Sequence, residues 1–191
     1  MNAALLTASS IAGILYLYLI RIHVLNRDEP DRERREGQPN AQIGEDGMDT
    51  KFSVAVHALV LISEAPLTIN SDQIAASVGT NASYIRKILS LLKKAGIVEG
   101  RRGIGGYSLT AASEQITLLQ IYQAVMESRT VHLLDIYQNP SDQCVVGRFI
   151  RPVMTGMFAE AEDAFTRALA GKTLADCIDA IRKKMDEAGN P

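Results

Sequence analysis

The stretch that most constrains this fold runs from Asn81 to Leu109, where a two-faced helix leads into a basic, glycine-rich loop. Apolar residues recur there at the i, i+3, i+4, i+7 spacing of a core-facing helix side, namely Ile85, Ile88, Leu89 and Leu92. The opposite side is polar and basic, with Ser83, Arg86, Lys87, Ser90 and Lys94. This pattern predicts a helix over 82–95, followed by Gly96 in the glycine position that commonly ends helices.

Two helices are predicted before it. A helical apolar spacing over Thr50–Ser63 ends at Pro66, and it involves Phe52, Ala55, Val56, Leu59 and Ile62. Ser71 is the expected N-cap of a second helix, Asp72–Val78, and a tight turn over 79–81 follows it. Two helices joined by a glycine-bearing turn, the second one basic, predict a helix-turn-helix whose second helix enters the major groove of DNA.

A β-hairpin wing is predicted next, with strands Ile97–Glu99 and Tyr107–Leu109 around a basic loop. From Asn81 to Tyr107 the chain has six basic residues and one acid, a net +5 within a chain of net charge −2. Such a local patch is typical of phosphate binding, although a solvated charged helix face is the simpler alternative. The loop glycines lack the G-x-G-x-x-G spacing of a nucleotide-binding fingerprint.

The run N-A-S-Y-I-R-K-I-L-S-L-L-K-K-A-G-I-V, followed by R-R-G-I-G-G-Y-S-L, resembles the Rrf-type winged-helix regulators. That family includes the iron–sulfur cluster regulator and the cysteine-metabolism repressor, and the similarity extends from Met48 to Ile181. The resemblance implies a homodimeric repressor that binds palindromic double-stranded DNA. It places Ser83, Tyr84, Arg86 and Lys87 at the contacting start of the recognition helix, and Arg101, Arg102 and Gly103 in the wing. Lys94 belongs to the same basic face.

The remaining chain predicts a mainly α fold with one small β-hairpin, divided into a winged domain (48–112) and a helical region (113–191). A capping box at Thr117 begins one helix, and Thr173 begins the last helix, which has Leu174, Cys177, Ile178 and Ile181 inward. Between them, the predicted helix Cys144–Ala170 has an apolar stripe wider than one partner requires. We expect it to form the dimer interface through Phe149, Ile150, Val153, Met157, Phe158 and Ala161. The alternative is a helix packed wholly within its own chain.

The cysteine count limits the cofactors that this chain could hold. The family's iron–sulfur members have three clustered cysteines, whereas this chain has two in all, Cys144 and Cys177. We therefore expect no iron–sulfur cluster, no other cofactor and no metal. Cys144, at a helix start whose dipole favours a thiolate, is a candidate redox thiol, and a small packed hydrophobe is the alternative. No catalytic pattern is present either, since His23, His57 and His132 are scattered, so an enzyme is not expected.

The first 47 residues differ from the rest. Residues 3–20 carry no charge, and a polar, proline-containing linker over 26–47 follows them. The apolar part is either a membrane anchor or upstream sequence read from a wrongly assigned start, the true one being Met48. As an anchor it would leave the rest facing the cytoplasm from the inner membrane, because arginines follow it. The second functional hypothesis is then a membrane-tethered protein-interaction module. Without an anchor, the protein is expected in the cytoplasm.

Overall fold

The computed structural model describes residues 50–66, 68–101, 106–141 and 143–189 of the 191-residue chain. The elements follow in the order α1 (Lys51–Glu64), α2 (Ser71–Val78), α3 (Ala82–Lys94), β1 (Val98–Arg101), β2 (Gly106–Leu109), α4 (Leu118–Met126), α5 (Val145–Ala170) and α6 (Leu174–Glu187). The predicted class, mainly α with one antiparallel hairpin, is confirmed.

The apolar face of α3 is the centre of the winged part. Ile85, Ile88, Leu89 and Leu92 are each at most 1% exposed, as their spacing predicts. α3 packs against α1, α2 and α4, so three helices cover this one face. Burying a large aliphatic side chain contributes roughly 1.5–3 kcal/mol, and this face therefore fixes the position of α3 within the fold.

The start of α2 differs from the prediction. Asn70, rather than Ser71, is the N-cap, because its backbone is extended and its Oδ1 accepts hydrogen bonds from the amides of Asp72 (3.0 Å) and Gln73 (2.9 Å). The side chain of Gln73 accepts in return from the Asn70 amide at 3.0 Å, which completes a capping box. Ser71 is consequently the first helical residue, and it is buried.

The hairpin pairs Val98 with Leu109 and Arg101 with Gly106 at its two ends. Its first strand begins one residue later than predicted, because the amide of Ile97 still bonds to the carbonyl of Leu92 (3.0 Å) and closes the end of α3. The predicted glycine at this end is confirmed, since Gly96 has a φ of +74°.

The C-terminal half shares the core of the winged part. Ile121 and Val125 of α4 and Leu174 and Ile178 of α6 belong to the same buried cluster as α3, so the core crosses the predicted boundary at residue 112. The predicted capping box at Thr117 is confirmed, and Thr173, the predicted start of the last helix, forms a second capping box with Asp176.

Ile181 was expected to face inward and is instead 40% exposed. The buried stripe of α6 ends at Ile178, and the next contact with α1 is polar. There the Nη2 atom of Arg182 lies 3.2 and 3.1 Å from the two carboxylate oxygens of Glu64. These contacts raise the pKa of Arg182, with the hydrogen bond to Glu64 as the main cause.

α5 is the longest helix and contains Pro152 within its span. Cys144 is its N-cap residue rather than its first helical residue, one position from the prediction. In the first turn, a Cβ on Gly147 would collide with the carbonyl oxygen of Ser141, so the preceding loop lies directly against the helix backbone.

Among the described helices, none is both long and apolar enough to cross a membrane. The apolar segment over 3–20 and the expected start at Met48 lie outside the described residues.

Candidate nucleic-acid interface

The exposed face of α3 presents the basic residues that the sequence predicts. Asn81 begins the helix by accepting a hydrogen bond from the amide of Tyr84 at 2.8 Å. Ser83, Arg86 and Lys87 then lie exposed within the first two turns. Because the opposite face is fully buried, these side chains have a fixed direction relative to the core.

Arg86 is held by one hydroxyl from each helix of the helix-turn-helix. Its Nη1 donates to Ser71 Oγ at 3.3 Å, and its Nη2 donates to Ser83 Oγ at 3.2 Å. A guanidinium has five N–H donors, so donors remain for a base edge or a phosphate.

Tyr84 is another residue expected to contact DNA, but its side chain points toward the core. Its ring packs against the core, and its hydroxyl is buried without a hydrogen-bond partner in the part of the chain that the structure describes. In this conformation the hydroxyl is not available to DNA. The i, i+1 position beside Ile85 places Tyr84 at the edge of the buried face.

Lys94 lies at the far end of α3 and pairs with Glu127, the residue that ends α4, at 3.2 Å between Nζ and Oε1. Both side chains are largely exposed, so we expect the pair to contribute little to stability. Glu127 has a φ of +52°, a left-handed conformation that is uncommon for a residue with a side chain.

An open groove of about 450 Å³ separates α3 from the hairpin. Its lining combines hydroxyl, basic and backbone groups, from Asn70, Ser71, Arg86, Leu89, Ser90, Lys93, Gly100, Gly106 and Tyr107. Gly106 is required here, because a Cβ at this position would lie 2.5 Å from the Cβ of Thr68. The amide of Tyr107 bonds to the carbonyl of Ile69 at 3.1 Å, which attaches the hairpin base to the segment before α2.

The expected wing residues are only partly described. Arg101 pairs with Gly106 through its backbone, and its side chain is not described. Arg102 and Gly103 lie outside the described residues.

The expected dimer residues lie on a helix that has no buried residue. Phe149, Val153 and Met157 are 57%, 56% and 61% exposed, whereas Ile150 and Phe158 are partly exposed and Ala161 is exposed. The alternative of a helix packed wholly within its own chain is therefore wrong for this structure. α5 packs on α4, where Phe165 meets Tyr122 at a centroid distance of 5.8 Å, and it also contacts the loop that precedes it.

A polar cluster joins the loop before α5 to that helix. Glu162 Oε1 accepts from the amide of Leu133 (2.7 Å) and lies 3.3 Å from Nδ1 of His132, while Nε2 of His132 lies 2.9 Å from Asp135. The backbone hydrogen bond from Leu133 is the main cause of a lowered Glu162 pKa. The hydrogen bond to Asp135, followed by the charge of Glu162, raises the pKa of His132.

The other two titrating groups of interest respond to burial. His57 on α1 lies 3.3 Å from the hydroxyl of Ser77, and desolvation lowers its pKa. Burial raises the pKa of the half-buried Cys177 thiol, whereas Cys144 is exposed.

The sequence and the fold both match those of known proteins. The family model named Rrf2, an iron-dependent transcriptional regulator, matches residues 48–180. The HTH-type transcriptional regulator YwnA of Bacillus subtilis is 36% identical over 134 residues, which cover 70% of this chain and 98% of YwnA. The chain belongs to the Rrf2 family.

Two solved Rrf2-like structures have the same fold. CymR, the global cysteine regulator of B. subtilis, has 19% identity and a TM-score of 0.55, with 70% of this chain and 96% of CymR covered. IscR of T. potens has 20% identity and a TM-score of 0.54, with 71% of this chain and 88% of IscR covered. The Rrf2 protein described here is thus a DNA-binding transcriptional regulator with a winged helix-turn-helix, and its family is not one of enzymes.

The iron in the Rrf2 family description does not fit the described residues. No group of three or more histidine, cysteine or carboxylate side chains among them is arranged to hold a metal ion. The two cysteines of the chain lie on different helices, Cys144 at the start of α5 and Cys177 within α6. We therefore derive no role for iron.

Sequence reasoning missed two features of this Rrf2 chain. It treated Ser71 as a cap and not as a partner of Arg86, because no pattern relates two residues on separate helices. It also left His132 among the scattered histidines. The i, i+3 spacing of His132 and Asp135 is a weak signal, and only the fold brings Glu162 to them.

Proposed function

We propose that this chain is a homodimeric transcriptional repressor that binds palindromic operator DNA in the cytoplasm. The observation that carries the proposal is the exposed basic start of α3 opposite a fully buried face. Ser83, Arg86 and Lys87 would contact the major groove, and Arg101, Arg102 and Gly103 would follow the backbone or the minor groove. Lys94 would add charge at the edge of the interface, and Tyr84 would support the helix from beneath.

The open stripe of α5 supports the dimer. Large apolar side chains more than half exposed are uncommon as a contiguous set on a monomer, and a second copy of the same helix would cover them. A two-fold dimer presents two recognition helices, so the operator would contain two half-sites about one helical turn apart.

A salt series tests the DNA-binding mode. Each phosphate that a lysine or arginine neutralises releases counterions, so affinity should fall steeply as salt rises. The measurement is a DNA-shift titration on the promoter region of the protein's own gene at several salt concentrations. A flat salt response, or no shift at all, would contradict the proposal.

Two arginine variants separate base reading from backbone contact. Arg102→Ala should weaken binding to all sequences alike and reduce the salt slope by about one unit. Arg86→Ala should also change the sequence preference, because its guanidinium lies at the start of the recognition helix. Lys183→Ala removes one positive charge from α6, which lies outside the proposed interface, and should change neither. An Arg86→Ala protein with unaltered affinity and preference would exclude α3 as the reading helix.

For the input signal, we propose the thiol of Cys144. This residue is exposed at the N-cap of α5, directly before the exposed Val145 and Val146. Oxidation there would alter the start of the dimer helix and thereby the spacing of the recognition helices. Cys177 is the matched control, because burial raises its pKa. Alkylation with limiting reagent should label Cys144 first. Unchanged DNA affinity after peroxide treatment would remove Cys144 from the mechanism.

A further inference from the structure

The guanidinium of Arg86 is oriented before any DNA is bound. Hydrogen bonds at 3.3 Å to Ser71 and 3.2 Å to Ser83 engage both of its terminal nitrogens. Ser83 lies one turn before Arg86 on the same helix, so its hydroxyl moves with α3. Ser71 lies on α2, and its hydroxyl therefore fixes the guanidinium relative to the other helix of the motif.

Ser71 is itself held firmly. It is 8% exposed and begins a helix whose first turn is closed by the capping box of Asn70 and Gln73. The next turn of α2 is anchored by Ile74, which is fully buried. Since Ser71 is buried, its hydroxyl contacts DNA poorly, and an effect of this residue on recognition would pass through Arg86.

We propose that Ser71 is a positioning residue that determines base specificity by fixing the orientation of the Arg86 guanidinium. This inference rests on the proposed function, in which Arg86 reads a base. Bidentate recognition of a base edge requires two donors in one plane and direction. A guanidinium that is already oriented discriminates between bases better than one that rotates freely among phosphates and bases.

The chain offers matched variants. Ser71→Ala removes the hydroxyl, and Ser71→Thr retains one at the same position. Ser77→Ala removes a hydroxyl from the same helix as Ser71, where Ser77 lies 3.3 Å from Nε2 of His57 on α1. Arg86→Ala, alone and combined with Ser71→Ala, shows whether the two residues act together.

Binding is measured with a pool of randomised duplex DNA, and then with the selected duplex and its single-base variants. Ser71→Ala should lower the discrimination about 3- to 10-fold, the net value of one hydrogen bond, at those positions where Arg86→Ala also lowers it. The thermal melt, the affinity for the unselected pool and the salt slope should stay as in the wild type. Ser71→Thr should restore the discrimination, Ser77→Ala should retain it, and the double variant should match Arg86→Ala.

Three results would overturn the inference alone: unchanged discrimination in Ser71→Ala, an equal loss at every base position, or a further loss when Ser71→Ala is added to Arg86→Ala. A wild-type chain that does not bind the duplex pool would overturn the proposed function and this inference together. The wild-type titration therefore distinguishes the two failures.

Discussion

The helices α3 and α5 differ in how their apolar sides are covered. Both have an apolar side, but four residues of α3 are almost fully buried, whereas no residue of α5 is buried. α3 is covered by three neighbouring helices, and α5 by α4 along one side. In the proposed function, α3 reads DNA and needs a fixed position, which its own chain provides. The proposed dimer helix α5 leaves its apolar side for the partner.

This contrast means that equal substitutions on the two helices should produce different kinds of defect. A change in the buried side of α3 acts on the folding of each chain. A change in the open side of α5 should act on the proposed association of two copies, whose extent depends on protein concentration.

The largest effect is expected from Ile88→Ala. Truncating this fully buried side chain should lower the free energy of unfolding by roughly 2–5 kcal/mol, because the surrounding helices cannot close the cavity completely. Denaturant unfolding followed by circular dichroism measures the change. A loss below 1 kcal/mol, or one that disappears at high protein concentration, would contradict the distinction between the two helices.

Met157→Asp should dissociate the dimer while each chain remains folded. The side chain is 61% exposed in the single chain, so the carboxylate stays in water there and would be buried only between two copies. We expect the dissociation constant of the dimer to rise at least about 100-fold, measured by light scattering against a monomer of 20.8 kDa. Asp substituted for the exposed Glu187 on α6 is the control. Retention of the dimer in Met157→Asp would place the interface elsewhere.

Tyr84→Phe removes a buried hydroxyl that has no described partner. The free energy of unfolding should stay the same or increase by up to about 1 kcal/mol, since an unsatisfied polar group is lost. Denaturant titration measures this, and a DNA-shift assay should show unchanged affinity. A fall in affinity with intact stability would mean that the hydroxyl turns outward and reaches DNA.

The smallest effect concerns the polar cluster of His132, Asp135 and Glu162. Asp135→Asn should lower the pKa of His132 more than Glu162→Gln does, because the Asp135 hydrogen bond is the larger cause of its raised value. The imidazole signal in an NMR titration reports each pKa. The reverse order would show that Glu162 dominates.

The pKa shifts of His132 and Glu162 also define the pH range in which these residues and Asp135 hold the loop most strongly. The His132 contribution is present below its ordinary pKa of 6.5 and is lost as pH rises through the raised value. The Glu162 contribution is present above 4.5 and is lost as pH falls through the lowered value. Both therefore act fully between about pH 4.5 and 6.5. The protection factor of the Leu133 amide, which compares its hydrogen-exchange rate with the intrinsic rate at the same pH, should be highest in that range.

The sequence predicts local structure well where residues of one kind recur at a regular spacing or stand at a characteristic helix end. The α3 face, the capping box at Thr117 and the glycine after α3 follow from spacing and backbone chemistry alone. Ser71 and Ile181 show the limit. Asn70 and Ser71 are both good caps, and only the backbone geometry selects between them. Ile181 continues the apolar spacing of α6, but the Arg182–Glu64 contact replaces apolar packing at that point.

The candidate site also has one part that the sequence predicts and one part that it does not. The basic side of α3 is predictable, because a buried face defines its opposite. Two features depend on distances between helices: the hydrogen bond from Arg86 to Ser71 and the burial of the Tyr84 hydroxyl. The residue spacing within one helix does not predict such distances.

The contact between Gly147 and the Ser141 carbonyl has a consequence for sequence variation. Because even one methyl group would meet a backbone atom there, no side chain is small enough to substitute without moving the loop or the first turn of α5. In a saturation library selected for DNA binding, position 147 should therefore accept glycine almost alone. The exposed Val145 and Val146, two residues and one residue earlier, should accept many apolar replacements.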